Sequence, residues 1–152
     1  MNLSELKDII EGCRWCEPQI KTQYRPVESR VVILLATPQL CREYESKTNP
    51  SLRILRNLIE ISGLQKFNPQ PVPLLKCPKL APTDERLSVC APFFRNEVSI
   101  CEPLAVIVSD PSLVKHISDI HGVHITSDPT PLNIPRILTI LSHINNELTN
   151  EN

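Results

Sequence analysis

"VVILLAT", Val31 to Thr37, is an aliphatic, largely β-branched run with no polar residue before Thr37. A strand with one wet face alternates apolar and polar side chains, whereas a strand covered on both faces does not. The run therefore predicts a central strand sandwiched between two layers. "LAVIVS", Leu104 to Ser109, has the same character, and "VHIT", Val123 to Thr126, is a shorter relative of it. "PQPVPLL", Pro69 to Leu75, stands where a further strand is expected. Pro71 and Pro73 cannot donate to a ladder, so this stretch is predicted to be irregular or to lie at a sheet edge.

Helical patterns fall between the strands. Residues 3–11 form one, with Asn2 as N-cap and Glu5 three positions later. Asn49 and Pro50 open a second, running to Ser62 with Leu52, Leu55, Leu58 and Ile59 on one face. Thr83 caps a third that carries Asp84 and Glu85 in its first turn, and Pro92 is a candidate break in it. Asp110-Pro111 starts a fourth, and a last helix is predicted from about Ile134 to Leu148. Pro38 to Thr48 reads as a polar loop. The three glycines, Gly12, Gly63 and Gly122, all read as helix stops, which leaves none for a glycine-rich phosphate-binding loop. Strands and helices alternating in this way predict a single α/β domain over residues 1–152, a three-layer α/β/α arrangement around a short, mainly parallel sheet.

Composition narrows the function classes. A formal charge of −1 argues against a broad nucleic-acid-binding field, which needs many cations to displace counterions. No run of eighteen apolar residues occurs, so no membrane span is expected. The opening "MNLSELKDII" is too polar and acidic for a secretory signal, and a cytoplasmic location is expected. Six cysteines in such a setting point to metal ligands or inert thiols before disulfides.

Cys13 and Cys16 in "EGCRWCEP" are followed by Cys77 in "LLKCPK" and Cys90 in "SVCAPFF". A close thiolate pair can fix two corners of a metal site, with the other two supplied by distant elements. The wide second spacing suits a [4Fe–4S] cube better than a zinc knuckle, with zinc and plain thiols as the alternatives. Cys41 and Cys101 read as lone thiols acting as small hydrophobes. Trp15, between two of the proposed ligands, reads as either a shield over the cluster or an anchor for a protein partner.

The order "IIEGCRWC", "VVILLATPQ", "LRNLIEISGL", "LLKCP", "CAPFF", "EPLAVIVS" resembles the iron–sulfur branch of the uracil-DNA glycosylase superfamily, family 4, over nearly the whole chain. The resemblance implies the glycosylase-like α/β/α fold and a [4Fe–4S] cluster on Cys13, Cys16, Cys77 and Cys90. It also implies where reactive groups would sit, and there the sequence departs from the family. The G-E-[AG]-P-G loop is replaced by "LATPQ", so Ala36 stands at the acidic position and Pro38 alone matches. The stacking aromatic should lie shortly before the second helix; Tyr44 is the only aromatic nearby, and it comes too early. Asp128-Pro129 stands in place of the late His-Pro, and an ionised aspartate cannot donate a hydrogen bond to a departing uracil anion.

The fold signature is kept and the reaction signature is lost. The expected function is accordingly a non-catalytic accessory protein of DNA replication or repair. Such a role resembles that of the psi subunit of the bacterial DNA polymerase III clamp loader, a fold-level likeness that implies a clamp-loader or chi-like protein partner. The alternative is an active uracil-DNA glycosylase with altered catalytic residues, for which Asp128, Glu43 and His124 are the candidates. Glu45 lies in the same loop as Glu43. Direct DNA contact through Arg25, Arg30, Arg53 and Arg56 is a further option, although scattered arginines usually form a solvated face.

Overall fold

Val31–Leu35 form strand β1, and every residue of it is buried. Successive side chains point to opposite faces, so the strand feeds two separate cores. Val31, Ile33 and Leu35 join one cluster, Val32 and Leu34 the other. The computed structural model describes residues 1–13, 15, 24–78 and 80–151.

The element order is α1 (Leu3–Glu11), β1, α2 (Pro38–Ser46), α3 (Pro50–Ile61), β2 (Gln70–Pro73), α4 (Asp84–Cys101), β3 (Ala105–Val108), β4 (Val123–Ile125) and α5 (Ile134–Glu151). Short 3-10 turns cover Leu64–Phe67 and Pro111–His116. The strands form one four-stranded sheet in the order β2-β1-β3-β4, with all three pairings parallel. Helices α3 and α5 cover one face through Leu55, Ile59, Ile137 and Leu141. Helix α4 covers the other through Leu87, Cys90, Ala91 and Phe94, and α1 packs on the outside of α4. Among the described residues no helix is long and apolar enough to cross a membrane.

The caps predicted from sequence form. Asn2 Oδ1 accepts from Glu5 N at 2.9 Å, Asn49 Oδ1 from Leu52 N at 3.2 Å, and Thr83 Oγ1 from Arg86 N at 3.3 Å. Three readings are corrected. Pro38–Ser46 is helix α2 and not a loop: Thr37 Oγ1 accepts from Leu40 N at 3.2 Å and Pro38 occupies the first turn. Pro92 does not break α4, because the lost hydrogen bond is outweighed by an apolar face packed on the sheet along both halves of the helix. The helix expected after Asp110 is a 3-10 turn that ends at His116, six residues before Gly122. Gly12 stops α1 as its position in the sequence indicates, at φ −79°, a right-handed conformation open to any residue.

The proline-rich stretch is a regular edge strand. Leu74 N donates to Leu35 O at 2.8 Å, so the positions facing β1 are Gln70, Val72 and Leu74. Pro71 and Pro73 face outward and present no N–H to the open edge, which blocks pairing with another strand.

Gly63 does need to be glycine. It sits at φ +91°, and a Cβ there would lie 2.8 Å from Asn145 Nδ2 on α5. Gly63→Ala is expected to lower the unfolding free energy by roughly 1–3 kcal/mol in urea denaturation, from the strained backbone and the displaced Asn145.

Candidate functional site

Three of the four proposed cluster cysteines lie within the described residues, each on a different segment. Cys13 follows the capped end of α1, where its N–H donates to Ile10 O at 3.0 Å, and it is half-buried. Cys77 is buried in the segment after β2, and Cys90 is buried on the sheet-facing side of α4. Cys16 lies outside the described residues. Among the described residues no group of three or more His, Cys, Asp or Glu side chains is gathered as a metal site. The donor chemistry is that of soft thiols in an apolar, water-poor setting, which fits an iron–sulfur group better than a hard cation.

Trp15 is 73% exposed and lines a shallow cleft with Thr83, Glu85, Arg86 and Val89 at the start of α4. A ring this exposed is poorly placed to exclude water from anything beneath it. Met1 and Ile9 are also exposed on the same N-terminal segment.

The weak catalytic candidates are dispersed. Glu43 lies on α2, where its carboxylate accepts from Gln39 Nε2 at 2.9 Å and Asn49 Nδ2 at 3.1 Å. These hydrogen bonds hold its carboxyl below the usual range, so at neutral pH it is an ionised strut between α2 and the cap of α3. His124 is half-buried in β4, and Asp128 is exposed on the segment after it. Tyr44 is buried against the α3/α5 core, and the Arg56 guanidinium lies 5.4 Å from its ring centroid. Arg56 also donates to the carbonyls of Tyr44 and Glu45, and Arg30 stacks 5.2 Å from the Phe67 centroid. Both arginines are thereby built into the fold. Cys41 and Cys101 are half-buried thiols, and burial pushes Cys41 up to about 12.

The most unusual side chains were not singled out from the sequence. Lys76 is 1% exposed and forms an ion pair with Glu97 of α4, itself 5% exposed. Lys76 Nζ also donates to Pro73 O at 2.6 Å, and Tyr24 donates its hydroxyl to the second oxygen of Glu97. The Tyr24 ring centroid lies 4.2 Å from the ammonium. Burial pushes Lys76 down, opposed by the Glu97 carboxylate, while burial and Glu97 together push the Tyr24 hydroxyl up and keep it a donor. Glu97 and Cys90 are seven residues apart on α4 and so share a face. Lys76 is bonded to Cys77, and the Cys90 thiol lies within electrostatic range of its ammonium. The pair therefore sets the register between the segment carrying Cys77 and the helix carrying Cys90. The available signal was a lone lysine closing the apolar run "PVPLL".

What the fold defines is an α/β protein with a four-stranded parallel sheet. The chain matches no model of a known protein family and no curated protein.

Lys76→Met strands the Glu97 carboxylate and is expected to cost about 3–5 kcal/mol in urea denaturation. Adding Glu97→Leu should restore much of that loss, whereas a pair of independent contacts would give additive losses.

Proposed function

We propose that the protein is a non-catalytic accessory subunit of DNA replication or repair, built on a uracil-DNA glycosylase-like fold and stapled by a [4Fe–4S] cluster on Cys13, Cys16, Cys77 and Cys90. The observation that carries the non-catalytic reading is the fate of "LATPQ". The residues that should form an open reactive loop instead wind into the first turn of α2, with Ala36 buried, Thr37 as the cap and Pro38 in the first turn. No acidic group projects from that turn, and Glu43, one helical turn further on, is committed to holding Asn49. Asp128 and His124 sit across the sheet on the β4 side.

Bound, the cluster would cross-link the end of α1, the segment after β2 and the middle of α4, and it would also supply a one-electron centre. The burial of Cys77 and Cys90 supports this reading, because a thiolate site in an apolar shell is protected from hydrolysis and oxidation. The partner would be a protein, with Trp15 as its anchor. An exposed tryptophan over a cleft at the start of α4 suits a hot spot at a clamp-loader or chi-like subunit. Direct DNA contact is the weaker reading, because Arg30 and Arg56 are already engaged.

Purified without oxygen, the protein should be brown and contain iron and acid-labile sulfide in equal amounts, both lost in Cys90→Ser. A folded, colourless protein that takes up zinc alone overturns the cluster assignment. The protein should also bind purified clamp-loader subunits in a pull-down that Trp15→Ala abolishes, while releasing no base from uracil-containing single-stranded DNA. Base release at an enzymatic rate, removed by Asp128→Ala, would replace this reading with an active glycosylase.

A further inference from the structure

A cleft of about 390 Å³ opens beside the free edge of β2, between the 24–29 segment and α2. Its size falls within the range of small-molecule sites, at roughly 300–1,000 Å³. We infer that this cleft binds a small organic anion with a flat apolar body.

The walls of the cleft are rigid and largely apolar. Pro71 and Pro73 of β2, Pro38 of α2 and Pro78 offer rigid ring faces, with Val72 between them and Tyr24 alongside. Flat, rigid walls of this kind suit a planar ligand, because little side-chain freedom is lost on binding. A peptide strand is excluded as the occupant by the same prolines. The outward edge of β2 has no N–H to offer, and the Pro73 carbonyl already accepts from Lys76.

The cleft also carries a local excess of positive charge. Among the described residues the cleft is lined by Arg25, Arg42 and Lys76 against a single carboxylate, Glu45. Lys76 is neutralised by Glu97 at the base, which leaves two guanidinium groups over one acid at the mouth. The chain as a whole is slightly acidic, so this local excess is not a consequence of composition. Arg42 is held in place by its 2.6 Å hydrogen bond to Gln39 Oε1, and a guanidinium retains further N–H donors for a carboxylate or phosphate. The cleft lies at the opposite edge of the sheet from β4, where His124 sits and which Asp128 follows. Glu43, between the wall residues Arg42 and Glu45 on α2, accepts from Asn49 and is not among the lining residues.

The probe is 8-anilinonaphthalene-1-sulfonate, followed by fluorescence and by calorimetry on the full chain. One molecule should bind per chain, and Arg25→Glu with Arg42→Glu should weaken it about tenfold or more. Both arginines are exposed, so the variant should keep its fold, checked by circular dichroism. The charge-matched control, Arg53→Glu with Arg136→Glu, lies outside the cleft and should leave binding unchanged. N-phenyl-1-naphthylamine, the same body without the sulfonate, should bind weakly and ignore the double variant. Competition by 1-naphthoate or by 1-naphthyl phosphate identifies the head group that the site prefers. The inference is overturned by equal loss in both double variants, by equal affinity for the neutral amine, by failure of both competitors, or by displacement with free uracil.

Discussion

The buried ion pair between Lys76 and Glu97 is the constraint on which the arrangement around the thiols depends. Two charges removed from water are costly, and they persist only when each is paired and its remaining hydrogen-bonding capacity is met. Here the ammonium is shared between Glu97, the Pro73 carbonyl and the face of Tyr24, while the second Glu97 oxygen takes the Tyr24 hydroxyl. Three segments far apart in sequence are thereby pinned at one point: the 24–29 segment, the exit of β2 and the second half of α4. An apolar contact at the same place would tolerate sliding. A charge pair with these partners has one low-energy register.

That register reaches both candidate sites. Towards the thiols, it ties Lys76, the residue before Cys77, to the helix that carries Cys90. Towards solvent, Lys76 forms part of the wall of the cleft along β2. The prolines of β2 serve both regions, since they leave the edge without donors and line the cleft with rigid rings. Blocking one sheet edge in this way prevents uncontrolled pairing, while β4 protects the other edge by being only three residues long.

Much of the fold was legible because its signals are local. The unbroken apolar run of β1, the caps at Asn2, Asn49 and Thr83, and the edge position implied by Pro71 and Pro73 all rest on interactions within a few residues. Helix α2 was misread because Gln39, Arg42, Glu43 and Glu45 make it polar, leaving only Leu40, Cys41 and Tyr44 to mark its inner side. The Thr37-Pro38 cap was the cue. Pro92 reads as a break because sequence shows the missing N–H and hides the packed face that compensates for it.

By itself, then, the sequence determined a layered α/β domain, the strands that lie buried within it and the residues that start its helices. Each of these follows from backbone sterics and from side-chain periodicity along a few turns. Only the tertiary structure decided which polar groups meet. Lys76 and Glu97 are 21 residues apart and Tyr24 and Glu97 are 73 apart, and no spacing rule connects positions so distant. The cleft beside β2 arises in the same way, from segments brought together because burying the sheet leaves one proline-lined edge facing water.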